Sequence, residues 1–287
     1  LQLYFQWRHQ NEAGVFAGTL LEFLQAREIS IGPRVFGWAG YHLWFLGFLF
    51  AFSLIGLPIF LWSKGDRGGR VIDWLAGLCA RRGGLFLFLI PLVVVQLLLR
   101  PFWPAEHDWT DFIYLLAFFV SGYILYDDER FLRAIQRDRW ILLVAAMAST
   151  LFFFAAGAFD VATEWMETPG TPGFYLLWTM WAVNGWCWTL FVLDIGMRHL
   201  NFTNKWLQYG QETIMPFYLL HQPVIIVLAY FVVQWDTGIT VKLLVVVLGS
   251  LLVTLGLVEF VIKRIKVLRR FFGMKIRRRE TPSTETG

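Results

Sequence analysis

An apolar run, TIMPFYLLHQPVIIVLAYFVVQ, occupies residues 213–234. These 22 residues are long enough to cross a bilayer as a helix, yet they contain Tyr218, His221, Gln222 and Pro223. In a helix, Tyr218, His221 and Gln222 share one face at spacings of three and four. Because polar groups within a span are costly unless they face a cavity or water, this face indicates a functional site. The alternative is a packing histidine above a proline kink.

Composition predicts an all-α integral membrane protein. The 287 residues are 57% hydrophobic and 18% aromatic, with a mean hydropathy of +0.55. We expect a bundle of seven transmembrane helices within a transmembrane domain at 41–262, the second of them extended over residues 100–103. The predicted spans are 41–62, 84–99, 109–126, 140–159, 174–195, 213–234 and 239–262.

The distribution of basic residues predicts the topology. Of the 25 Lys and Arg residues, 20 fall in the segments 63–83, 127–139 and 196–212 or after residue 262. The positive-inside rule places these segments in the cytoplasm. We therefore expect 1–40 to be an extracytoplasmic loop and 263–287 to be a cytoplasmic basic tail with a disordered end, in a multi-pass protein of the cell inner (plasma) membrane. The net charge of +4 is then interpreted as favouring membrane lipids as partners, and not nucleic acid.

The fifth predicted span carries a second polar face. Trp181, Asn184 and Trp188 follow one another at spacings of three and four. Aromatic faces beside an amide suit a sugar ring or a pantetheine arm, whereas simple packing is the alternative for the tryptophans. Neither Cys79 nor Cys187 predicts a disulfide or a metal site.

The extracytoplasmic acids of the predicted topology are interpreted as solvated loop residues. They are Glu106, Asp108, Asp111, Asp160, Glu164 and Glu167.

Two motifs together resemble the acyltransferase-3 superfamily of integral membrane acyltransferases. They are HLWFLGFLFAFSLIGLP at 42–58 and PFYLLHQPVI at 216–225. The resemblance is greatest to the periplasmic-glucan succinyltransferase branch and covers about residues 1–262. It departs from the family in lacking an Arg-x10-His pattern. RGGR at 67–70 and RFLR at 130–133 do not match the position of the family's Arg-x-x-Arg pattern.

The resemblance implies a fold of about ten spans, so we expect three spans to precede this sequence. It implies transfer of an acyl group from cytoplasmic acyl-CoA, a co-substrate with no further cofactor, to a hydroxyl of a glycan or lipid-linked sugar outside the cytoplasm. Because a histidine can accept and return a proton near neutral pH, His221 is the predicted catalytic residue.

The other predicted site residues are assigned to substrate binding. Tyr218 and Gln222 accompany His221, while His42 and Trp44 would meet the acceptor at the outer surface, although His42 is equally typical of a membrane interface. Trp181, Asn184 and Trp188 complete the set.

Two alternative functions follow from the same residues. A transporter or flippase subunit for an acyl or sugar-lipid substrate would use a similar polar cavity. A seven-span receptor is disfavoured because Lys242 lies at the rim of its span. If a base preceding Leu1 serves the reaction, His221 and Tyr218 would instead orient the acyl donor or polarise its carbonyl. We expect the chain alone to be inactive.

Overall fold

The computed structural model describes residues 44–274, and within that range the secondary structure is helical with no strand. His42 and the predicted loop 1–40 lie outside the described residues, as does the end of the tail from 275 onward. The α-helices are α1 Trp44–Ser63, α2 Asp66–Cys79, α3 Leu89–Leu99, α4 Trp109–Asp127, α5 Glu129–Ala158, α6 Ala162–Glu167, α7 Pro172–His199, α8 Lys205–Val233, α9 Ile239–Leu257 and α10 Lys266–Phe271.

Six helical segments in the described range are long and apolar enough to cross a membrane, which confirms an all-α integral membrane protein. They are α1, α4, α5, α7, α8 and the segment Ile239–Ile262, which joins α9 to a π-helical turn at Val258–Ile262. The remaining predicted span, 84–99, is shorter: it joins a 3-10 helix at Gly84–Phe88 to α3. Its predicted extension over 100–103 was wrong, since α3 ends at Leu99.

Side-chain oxygens cap the starts of four of these helices. The cap accepts a hydrogen bond from a backbone N–H that has no partner within its own helix, which favours a helix start at that residue. These caps are Asp108 for α4, Asp128 for α5, Thr171 for α7 and Asn204 for α8. Asp108, predicted to be a solvated loop acid, therefore has a structural role.

The basic segments are largely helical rather than loops. Residues 129–139 form the first part of the 30-residue helix α5. The segment 63–83 contains α2, an amphipathic helix whose buried positions are Gly68, Ile72, Ala76 and Cys79. A Cβ at Gly68 would lie 2.2 Å from the carbonyl oxygen of Trp62, so this close approach of α2 to the end of α1 requires glycine.

The described chain divides into two compact units, a first unit at 44–202 and a second unit at 203–274. In the first unit, α7 packs against α5 and α3, and α4 packs against α3, α1 and α5. Its main core includes Leu92, Phe131, Leu142 and Trp186, all nearly inaccessible to solvent. A smaller cluster of Phe48, Phe52 and Phe112 joins α1 to α4.

Within the first unit, a charged cluster fixes the turn after α2. The carboxylate of Asp138, which is 1% exposed, accepts a 2.9 Å hydrogen bond from the N–H of Gly83. Gly83 has a φ of 77°, a conformation that favours glycine. Arg137 pairs with Asp138 and donates to the carbonyl oxygens of Cys79, Ala80 and Arg81.

In the second unit, α8 packs against α9. The apolar cluster near the end of α9 is formed by Val258, Ile262 and Met274 with Leu220 of α8 packed against it. Beside it, Glu259 pairs with Lys263 at 2.6 Å and accepts from the hydroxyl of Tyr209 at 3.2 Å. The Lys263 ammonium also lies 3.9 Å from the ring centroid of Tyr209. Glu259 and Tyr209 therefore both stabilise the positive charge of Lys263.

Candidate functional site

A cavity of about 470 Å³ opens in the first unit where α1 and α4 begin, and it reaches the middle of α7. This volume lies within the range of small-molecule sites, about 300–1,000 Å³. Four aromatic side chains line it: Trp44, Tyr114, Phe118 and Trp181. The polar residues that line it are Glu106, His107, Asp111, Asn184 and Thr189. Among the described residues, no lysine or arginine contributes to the lining.

Asp111 is held in the cavity wall by a buried arginine. Arg100 is 3% exposed and forms an ion pair with Asp111, and its Nε donates to the side-chain oxygen of Gln96 at 3.0 Å. The guanidinium also lies 4.2 Å from the ring centroid of Trp178. The Arg100–Asp111 ion pair and the Arg100–Trp178 contact are both shielded from water, which strengthens them. Because Asp111 lies in the first turn of α4, these contacts fix the start of that helix.

His107 lies in the same part of the cavity wall as Asp111. Its backbone N–H donates to the second oxygen of Asp111 at 2.8 Å, and its φ is 60°. The imidazole lies against the ring of Trp44, with 4.2 Å between the two centroids. Asp111 therefore positions both Arg100 and the loop that carries His107.

Tyr114 places a polar atom in the cavity wall with no partner in the described part of the chain. The residue is 6% exposed and its hydroxyl is buried without a hydrogen bond. A Cβ added at Gly185, which also lines the cavity, would lie 3.2 Å from this hydroxyl. Since an unmade buried hydrogen bond is costly, the hydroxyl is a candidate contact for a ligand.

Asn184 joins α7 to α5 and lines the cavity as well. Its amide nitrogen donates to Thr150 Oγ1 at 2.8 Å and to Ser149 Oγ at 3.1 Å. Trp188 Nε1 donates to the same Thr150 oxygen at 2.9 Å. Trp188 is therefore a helix-packing residue and does not line the cavity, whereas Asn184 does both.

His221 lies in the second unit, within the continuous helix α8. Its Nδ1 is 2.7 Å from the carbonyl oxygen of Tyr218. Because a carbonyl oxygen can only accept, Nδ1 carries the proton in this contact and Nε2 is the basic nitrogen of the neutral ring. The ring of Phe217 is parallel to the imidazole to within 3°, with the centroids 6.0 Å apart. Pro216 and Pro223 both lie inside α8 and do not end it.

The structure brings three of the predicted substrate-binding residues together. Trp44, Trp181 and Asn184 line one cavity although the sequence separates Trp44 from Asn184 by most of the first unit. Tyr218 and Gln222 lie with His221 in α8, and their assignment to a site stays a prediction.

The sequence interpretation missed Glu106, His107, Asp111 and Tyr114. It was wrong about Asp111, which is a paired carboxylate and not a solvated loop acid. A signal was available, since Asp111, Tyr114 and Phe118 fall at helical spacings of three and four on one face of the span.

A metal centre has no support in residues 44–274, where no group of three or more His, Cys, Asp or Glu side chains could hold an ion.

The membrane-length helices define a multi-pass integral membrane protein. A family model described as an acyltransferase domain matches residues 1–259 of the chain. The chain therefore belongs to the acyltransferase-3 family, and it is a membrane acyltransferase in that general sense. No curated protein and no solved structure matches it.

Proposed function

We propose that the protein transfers an acyl group from cytoplasmic acyl-CoA to a hydroxyl of a glycan or lipid-linked sugar outside the cytoplasm, as the glucan succinyltransferase branch does. The observation that carries this proposal is the cavity of the first unit, whose aromatic walls and hydrogen-bond acceptors suit a hydroxyl-rich ring. Family membership favours a transferase over a transporter or flippase.

The proposed location of the cavity supports an acceptor outside the cytoplasm. Trp44 begins α1, and Ser63, next to the basic segment, ends it. A helix of 20 residues spans about 30 Å, so the cavity and the basic segment lie at opposite ends of α1. With the basic side in the cytoplasm of an inner-membrane protein, the cavity opens on the outer side.

We assign the acyl donor to the second unit. Acyl transfer needs the thioester carbonyl oxygen polarised and the proton of the attacking hydroxyl removed as the new C–O bond forms. A proton is then delivered to the CoA sulfur as the C–S bond breaks. His221 is the proposed catalytic residue, because its proton on Nδ1 is directed to the Tyr218 carbonyl and Nε2 remains the basic nitrogen. Tyr218 and Gln222 would orient the thioester beside it. The two assignments are tested separately.

The test uses membranes from the protein's own cells, so that every span encoded with this chain is present. Labelled acyl-CoA is supplied, and CoA release and label in the glycan fraction are measured against a deletion strain. We expect both signals to require the gene. If the deletion strain releases CoA and labels glycan equally well, the proposed function is wrong.

Two substitutions in those membranes separate the roles. His221→Ala should lower transfer at least tenfold at unchanged protein level, since a positioned general base contributes about 10²–10⁴-fold. His199→Ala, at the exposed end of α7, is the matched control and should have no effect. Trp181→Ala should raise KM for the acceptor more than it lowers kcat. Unchanged turnover in His221→Ala would assign that histidine to packing.

A further inference from the structure

The described residues that line the cavity carry a negative charge balance. Arg100 neutralises Asp111 but is itself 3% exposed, so its charge is not presented to a ligand. Glu106 is exposed at the cavity, and the part of the chain that the structure describes holds no ion-pair partner for it. A carboxylate or phosphate that enters the cavity would be repelled by Glu106, and no lysine or arginine of the described lining would offset this repulsion.

The charged and amide groups that line the cavity present acceptors. The nitrogen of the Asn184 amide is directed to Thr150 and Ser149, which leaves its oxygen as the group to face a ligand. The carboxylates of Glu106 and Asp111 can only accept when ionised. Such a lining is satisfied by a ligand that donates hydrogen bonds, as hydroxyl and ammonium groups do.

We propose that the cavity is a charge-selective acceptor site that takes a hydroxyl-rich ring, neutral or amine-bearing, and rejects rings that carry a carboxylate or phosphate. This inference rests on the proposed function and adds the class of acceptor. It also places the anionic acyl-CoA outside this cavity, because its phosphates would meet the same repulsion.

The hydroxyl of Tyr114 supplies the recognition element in the wall. It is buried, it has no partner among the described residues, and it packs closely on Gly185, where a Cβ would lie only 3.2 Å from it. Because the hydroxyl is covered in this structure, a ring hydroxyl completes this hydrogen bond only when the Tyr114 side chain turns toward the cavity. Tyr114 would then favour a ring that presents a hydroxyl on that edge.

Binding to the purified chain can be measured without turnover. Methyl glucoside, glucosamine and glucuronate are matched rings that differ in charge, and Trp44 and Trp181 provide a fluorescence signal in the cavity. We expect the first two to bind and glucuronate to bind at least about fivefold more weakly, the effect of one nearby charge in a partly solvated site. Glu106→Gln should remove most of this difference. Equal or tighter binding of glucuronate, or no binding of any of the three rings, would overturn the proposal.

Tyr114→Phe tests the recognition element. It should weaken methyl glucoside binding about three- to tenfold, the range for one neutral hydrogen bond. Its Tm should be unchanged or higher, because the variant removes a buried group that has no described partner. The control is Tyr123→Phe on the same helix, whose hydroxyl lies 3.4 Å from Ser63 Oγ at the far end, and which should leave binding unchanged. If Tyr114→Phe binds methyl glucoside as the parent does, the hydroxyl has no role in recognition.

The two proposals fail in different ways. Charge-selective ring binding without gene-dependent CoA release would leave the site standing and overturn the proposed reaction. Gene-dependent transfer with equal binding of glucuronate and methyl glucoside would leave the reaction standing and overturn the selectivity.

Discussion

The guanidinium of Arg100 and the carboxylate of Asp111 form an ion pair across 11 residues of sequence, joining the end of α3 to the first turn of α4. Between them the chain forms the loop that carries Glu106 and His107. The pair therefore sets the position of this loop against α1, where His107 lies on Trp44. Breaking it should disturb both the stability of the first unit and the shape of the cavity.

Removing one partner of this pair should cost more than removing both. Asp111→Ala leaves Arg100 buried and uncompensated, which typically destabilises by about 3–5 kcal/mol. The double variant Arg100→Met, Asp111→Ala replaces a buried cation by an apolar chain of similar length and should recover part of that loss. Unfolding of both variants in detergent measures the difference. A double variant that is less stable than Asp111→Ala would contradict this coupling.

Thr150 should stabilise the contact between α5 and α7. Its hydroxyl accepts from both Asn184 and Trp188, so Thr150→Val leaves two donors without this partner. We expect a loss of about 1–2 kcal/mol, as measured by unfolding in detergent. Thr189→Val is the control, because Thr189 donates only to the carbonyl of Gly185 in its own helix. Similar losses in the two variants would contradict a role for Thr150 in joining the helices.

Much of the fold follows from hydropathy alone. Apolar runs of membrane length lie where the long helices form, because length and composition fix a span without knowledge of its neighbours. The errors arose where tertiary context decides. The basic segment 127–139 was predicted to lie outside the spans, yet from residue 129 it belongs to the same helix as the next span, α5, which Asp128 caps.

The candidate site was predictable only in part. Trp181 and Asn184 are polar or aromatic groups inside a span, which marks them from sequence alone. Asp111 and His107 belong to a loop and a helix start, where charged residues are ordinarily solvated. Asp111 and His107 belong to the candidate site because Arg100 is buried beside Trp178 and binds Asp111. No local sequence pattern predicts that contact between Arg100 and Trp178.

The thiol of Cys79 should be inert at neutral pH. It is fully buried, and burial raises its pKa to about 11, although nearby Arg137 acts in the opposite direction. Because the thiolate is the reactive form and the sulfur is inaccessible, alkylation of the folded protein should be negligible at pH 8. Mass spectrometry after maleimide treatment measures this, with the denatured protein as the control. Rapid labelling of Cys79 in the folded protein at pH 8 would contradict the prediction.

The topology can be tested at α6. Met166 is 45% exposed, and both native cysteines are fully buried, so a cysteine introduced by Met166→Cys should provide the main labelling signal in intact cells. The excess of basic residues near 63–83 and 129–139 predicts that α6 lies outside the cytoplasm. A membrane-impermeant maleimide should therefore label Met166→Cys without permeabilisation. Labelling only after permeabilisation would invert the topology, place the cavity at the cytoplasmic surface and remove the argument for an acceptor outside the cell membrane.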